Sequence, residues 1–134
     1  MKPIFSKLWA AYPTSHLPCD QGWAHQCSIR MSIALMGAGF SLAAYKEPRC
    51  KHGHARGAEE LAQFLVSRMG KPVINKDSSK AQTAVDGKTG IIFFKDIINF
   101  QGGNGDHMDL WNRTNTKTGA YFGACKQVWF WALL

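Results

Sequence analysis

The chain is short of acid. Nine Asp and Glu stand against sixteen Lys and Arg in 134 residues, a net charge of +7 with the histidines neutral. The isoelectric point near 9.4 points to an anionic partner. The basic residues are scattered, however, with no Lys/Arg run that would form an arm and no aromatic repeat suited to single strands, which argues against nucleic acid. No stretch approaches the roughly 20 apolar residues of a membrane span. The first residues, MKPIFSKLWAAYPTSH, break their apolar stretch at Lys7 and Pro13 and so lack a signal-peptide core. The expectation is a soluble protein that the general export pathway does not carry. Cysteine is also sparse. Cys19, Cys27, Cys50 and Cys125 do not make a disulfide-dense scaffold. If one is a nucleophile, at most one bridge forms among the remaining three, and their pairing is not written in the sequence.

What is present reads as one globular domain over residues 1–134. The chain is 46% hydrophobic with five Trp and eight Phe, enough for a single core. Phe5 to Tyr12 predicts a short amphipathic helix stopped by Pro13. A loop with Pro18, Cys19 and Gly22 follows, and then a second helix from about Cys27 to Met36, ended by the glycines at 37 and 39. Met31, Ala34 and Leu35 fall with Cys27 on one helical stripe, with Ser28 and Arg30 off it. CKHGHARG is a turn-rich basic loop. It feeds a third helix to Met69, closed by Gly70 and Pro72. The second half changes period. INKDSSKAQTAVDGKTG reads as a polar loop, IIFFKD as a buried strand, QGGNGD as a glycine-rich turn, HMDLWN as a strand, NRTNTKTG as a turn and QVWFWALL as a closing strand. Helices first and an antiparallel sheet afterwards predict an α+β fold.

Two segments carry chemistry. AHQCSIRMSIAL puts Cys27 at a helix start, where the helix dipole favours a thiolate and unpaired N–H groups are the raw material of an oxyanion hole. GNGDHMDLWN puts His107 on a strand. Alternation sends His107, Asp109 and Trp111 to one face and Met108 and Leu110 to the other. Taken alone, Cys27 is a small buried hydrophobe and His107 a residue after a turn. Together they suggest a nucleophile and its general base.

In these segments, and in FSKLWAAYP, CKHGHARGAEELAQFL, TGIIFFKD and VWFWAL, the chain resembles the fourth family of type VI secretion amidase effectors. These are antibacterial enzymes of the NlpC-like, papain-like superfamily. The resemblance covers nearly the whole chain. It implies a papain-like α+β fold, Cys27 as nucleophile and His107 as base; no cofactor or metal is expected. It further implies a peptidoglycan stem-peptide substrate cut between D-glutamate and diaminopimelate, delivery by the secretion apparatus into a rival's periplasm, and a cognate periplasmic immunity protein. The family pattern completes its triad with an aspartate roughly ten residues beyond the histidine. Here no Asp or Glu follows Asp109. The orienting role falls to Asp109, which shares the face of His107, to a neutral Asn112 or Asn115, or to no residue at all. A residue two along a strand usually points parallel to its neighbour rather than at it.

A competing reading takes Cys50, His52 and His54 as part of a zinc site in a binding module without catalysis. Structural zinc prefers two spaced pairs of ligands, and His16, His25 and the other cysteines form no such pairing. The loop holding these residues is expected instead to line the cleft, with Lys51 or Arg56 toward an anionic stem peptide.

Overall fold

The computed structural model describes residues 2–13, 27–46, 57–100 and 103–134. Expectations for the Cys19 loop, for His16 and His25, and for the loop from Cys50 to Arg56 lie outside the described residues, as does any disulfide that involves Cys19 or Cys50. The chain divides into two compact units, Met1–Gly70 and Lys71–Leu134.

The first unit is helical: α1 (Phe5–Ala11), α2 (Cys27–Gly37) and α3 (Ala58–Met69). The helix α2 ends where a Gly was expected to end it. Gly39 takes φ 84°, the Phe40 N–H donates to the Leu35 carbonyl at 2.8 Å, and the Gly39 N–H donates to Met36 at 3.0 Å. That is a Schellman cap, which satisfies carbonyls the helix itself leaves open. The burial of α2 is broader than the predicted stripe. Cys27, Ser28, Ile29, Met31, Ser32, Ala34 and Leu35 are all buried, so Ser28 is not on an outward face. Its neighbour Ser32 turns its hydroxyl back to the Ser28 carbonyl at 2.8 Å, which lets a polar residue enter a helical core. Around α3, Tyr45 and Phe40 both set edge-to-face contacts on Phe64, with centroids 5.5 and 6.5 Å away.

The second unit is a five-stranded sheet with one helix. Its elements are β1 (Val73–Asn75), α4 (Ser78–Val85), β2 (Thr89–Phe100), β3 (Gly103–Asn112), β4 (Asn115–Thr116) and β5 (Cys125–Ala132), in the order β1-β5-β2-β3-β4. Every pairing is antiparallel. The polar stretch INKDSSKAQTAVDGKTG is therefore not a loop throughout, since it contains β1 and α4. Asp77 caps α4 by accepting from the Ser79 N–H at 3.1 Å. Only Ala81 and Val85 are apolar on its buried side, too few for periodicity to announce a helix. QGGNGD is likewise not all turn, because β2 and β3 stay paired out to Phe100 and Gly103. The ladder does so through two register shifts, between Phe94 and Ile97 and between Ile97 and Phe100. Asp96 and Asn99 sit inside those shifts with φ 58° and 57°, a left-handed conformation that Asp and Asn tolerate better than most side chains.

Alternation along the central strands makes two buried faces. One carries Ile92, Phe94, Val128 and Phe130 with Ala81 and Val85 of α4. His107 lies opposite Phe94 and Asp109 opposite Ile92 in the register, so both belong to this face. The other carries Ile91, Phe93, Met108, Leu110, Trp129 and Trp131, all buried. Gly90 is required by close approach: a Cβ there would strike the Trp131 carbonyl and come within 2.8 Å of the Phe130 ring. Trp111 ties the sheet to α4, with its indole N–H donating to the Val85 carbonyl at 3.0 Å and its ring edge-on to Phe122 at 5.4 Å. Trp111→Ala is expected to cost about 3–5 kcal/mol of unfolding free energy, measured by urea denaturation, with the amides of α4 losing exchange protection first.

Candidate active site

His107 and Asp109 are held by the middle of β3, the strand between β2 and β4. Both side chains are buried, His107 at 6% exposure and Asp109 at 0%. Their side chains do not run parallel as strand geometry alone suggests. Nε2 of His107 lies 2.8 Å from Oδ2 of Asp109. The lean is explained by what waits for the carboxylate beyond β4. Oδ1 accepts from the Leu110 and Lys117 N–H groups at 2.7 and 3.0 Å. Oδ2 accepts from the Thr118 and Gly119 N–H groups at 3.0 and 3.1 Å and from the Thr118 hydroxyl at 2.7 Å. The turn at 117–119 thus forms a nest of donors around a buried carboxylate.

This environment favours an ionised Asp109 carboxylate. Burial by itself pushes the Asp109 carboxyl up, but the His107 hydrogen bond and charge, the Thr118 hydroxyl and the Leu110 N–H outweigh it and hold the group below its ordinary value. An ionised carboxylate can only accept, so Nε2 donates to it; whenever the imidazole is neutral, that leaves Nδ1 as its basic nitrogen. The ring is further confined by Phe94, stacked at 6.2 Å, and by Tyr121, edge-on at 5.3 Å. Asn112, the alternative partner, alternates to the opposite parity of β3 and pairs with Thr89 and Asn115 at the end of the ladder. Asn115 is exposed, and its amide faces the Thr114 hydroxyl at 3.3 Å.

The thiols differ in setting. Cys27 is the first residue of α2, in the first unit, and is 8% exposed. Cys125 opens β5 in the second unit, where its Sγ donates to the Gln127 carbonyl at 3.3 Å. Burial pushes the Cys125 thiol up, away from the thiolate a nucleophile needs. Among the described residues no group of three His, Cys, Asp or Glu is arranged to hold a metal ion, and no helix is long and apolar enough to cross a membrane.

Sequence reasoning did not find Thr118 or the donor nest. The stretch NTKTG reads as a plain turn, and only its unusual density of small and hydroxyl residues hinted at backbone N–H groups turned inward.

The sign of the Asp109 effect yields a stability prediction. A carboxyl whose value falls on folding contributes stability above the unfolded value, near 3.8, and loses it as the pH drops through the folded value. Unfolding free energy is therefore expected to decline as the pH falls below about 4, and Asp109→Asn should flatten that decline when denaturant midpoints are compared from pH 7 to pH 2.

A search of the curated proteins finds no match. Among solved structures, the chain is similar to the effector Tae4 of Salmonella typhimurium in complex with the immunity protein Tai4 of Enterobacter cloacae. The two share 24% identity and a TM-score of 0.79, over 99% of this chain and 100% of that one. It is similar to Tae4 of Enterobacter cloacae at 22% identity and TM-score 0.77, over 100% and 98% of the chains. A selenomethionine variant of the Salmonella typhimurium Tae4/Tai4 system matches at 25% identity and TM-score 0.78, over the full length of both chains. These likenesses identify the α+β architecture as the papain-like, NlpC-like fold. The family model for the type VI secretion system amidase effector protein 4 matches residues 23–131. The chain belongs to that family of type VI secretion amidase effectors, Tae4.

Proposed function

We propose that the chain is an antibacterial peptidoglycan amidase that cuts the bond between D-glutamate and diaminopimelate in stem peptides by a cysteine mechanism. The observation that carries this reading is the buried His107–Asp109 pair with Nε2 committed to the carboxylate, in a chain whose family is one of amidase effectors. A ring so fixed presents Nδ1 as the base. Cys27 is the thiol that begins a helix, the position from which a thiolate and its oxyanion donors are both supplied.

In this mechanism Nδ1 of His107 takes the Cys27 proton, and the sulfur attacks the γ-D-glutamyl carbonyl carbon. The oxyanion that forms is held by backbone N–H groups at the start of α2. The C–N bond then breaks, the imidazolium returns its proton to the departing amine, and a thioester remains on Cys27. Water, deprotonated by Nδ1, attacks the thioester. The carboxylic acid leaves and the thiol is restored. Asp109 holds the tautomer and balances the imidazolium charge during both halves, as an orienting group rather than a proton acceptor.

The excess of Lys and Arg suits an anionic wall polymer. In the Salmonella typhimurium relatives Tae4 is paired with an immunity protein, Tai4. We infer the same kind of partner for this chain, together with delivery by the secretion apparatus and action in the target's periplasm.

The test is digestion of purified muropeptides followed by mass analysis. The unmodified chain is expected to release fragments ending at the γ-D-glutamyl carboxyl, and both Cys27→Ala and His107→Ala to reduce turnover by at least about a thousandfold. Asp109→Asn is expected to retain more activity than either. Intact substrate with the unmodified chain, or cleavage that persists in Cys27→Ala, would refute the mechanism and favour a binding module.

A further inference from the structure

The Asp109 carboxylate is gripped by four backbone N–H groups and one side-chain hydroxyl. Among these described donors, the hydroxyl is the one that also reaches the ring. Thr118 Oγ1 donates to Oδ2 of Asp109 at 2.7 Å and lies 3.2 Å from Nε2 of His107. A hydroxyl has one proton to donate and two lone pairs to accept with. Its proton is committed to the carboxylate, so toward Nε2 it can only accept. The Nε2 proton is therefore bracketed by two oxygens, Oδ2 at 2.8 Å and Oγ1 at 3.2 Å, and the three polar groups close a small ring of hydrogen bonds.

Strand geometry shows why such a bridge is needed. Residues two apart on a strand stand about 6.6 Å from each other with side chains directed alike, so Asp109 meets the imidazole only by leaning along β3. The backbone donors of 117–119 pull the carboxylate toward the turn without touching the ring, whose face and edge are packed by Phe94 and Tyr121. The Thr118 hydroxyl touches both the acid and the base, and so couples the position of one to the rotation of the other.

We propose that Thr118 is a positioning residue for the amidase reaction. In this role its hydroxyl holds the His107 ring in the Nε2–H tautomer and in one rotation about its side-chain bonds, with Nδ1 left as the basic nitrogen. This rests on the reading of His107 as the general base. The contribution grows when the ring becomes an imidazolium, because the bracketed N–H is then the donor that carries the charge toward Asp109 and Thr118. The orienting function is thus shared between two strand-separated residues, an acid that precedes β4 and a hydroxyl that follows it.

Thr118→Val keeps the branched shape and both backbone donors while deleting the hydroxyl, and Thr118→Ser restores the hydroxyl without the methyl. With full-length protein and muropeptide substrate, Thr118→Val is expected to lower kcat about tenfold with KM changed less than about twofold, and Thr118→Ser to recover most of the lost rate. In 15N-histidine-labelled protein, with the His107 signals assigned by difference against His107→Asn, the Nε2–H resonance should persist in the unmodified chain and in Thr118→Ser. In Thr118→Val it should disappear by exchange with solvent. Wild-type kcat together with a persistent Nε2–H in Thr118→Val would overturn the proposal. So would an equal loss in Thr118→Ser, since the fold of the turn rather than the hydroxyl would then be responsible. If the unmodified chain cuts no muropeptide, the amidase mechanism falls. The resonance experiment still decides Thr118: loss in the Val variant with retention in the Ser variant supports the positioning role, and retention in both contradicts it.

Discussion

A carboxylate buried to 0% exposure is the constraint around which the second unit is organised. An unpaired charge in such a place costs several kcal/mol or neutralises itself by taking up a proton. Asp109 does neither, because backbone donors from Leu110, Lys117, Thr118 and Gly119 converge on it together with the imidazole N–H. The short β4 strand, paired to the end of β3, brings the 117–119 turn back over the middle of β3. The turn looks incidental in the sequence, yet it is what permits an ionised acid in the core.

The surrounding sheet makes the geometry rigid. Phe94 on β2 stacks against the imidazole and is itself held edge-on by Tyr121 and Phe122. Trp111, two residues beyond the acid, anchors the same face to α4 through the Val85 carbonyl. A histidine in this setting has few rotations open to it, which is the condition for pre-organised proton transfer. Past Phe94 the ladder loosens. The two register shifts and the positive φ values of Asp96 and Asn99 lie on the β2 segment that pairs with Gly103 and Gly105, just before His107. Sheet irregularities of this kind recur beside active sites because they re-aim side chains without breaking the sheet.

Much of this was legible in the letters, and what was not has physical reasons. The helices α1, α2 and α3 follow from apolar residues at helical spacing with Pro or Gly stops, and their ends fall within a residue or so of expectation. The aromatic closing strand and the β3 alternation were equally plain. The helix α4 escaped because it buries only Ser78, Ala81 and Val85 and is defined by the Asp77 cap rather than by a stripe. The β2–β3 hairpin proved longer than its apolar letters because bulges absorb residues that do not fit the alternation. At the site, shared parity placed Asp109 beside His107. The bend that brings them into contact comes from donors eight to ten positions away, and no local pattern encodes that. No acid follows Asp109 in the chain, and Thr118 stands in that stretch.

The proposed mechanism makes Cys27 the nucleophile and His107 its general base. The rate of alkylation by iodoacetamide at pH 5 to 6, followed residue by residue by mass spectrometry, tests this most directly. The claim predicts that Cys27 reacts much faster than Cys125 in this range and that His107→Ala brings it down to the rate of an ordinary thiol. A Cys27 rate that is slow to begin with, or unchanged by the loss of the imidazole, would contradict it.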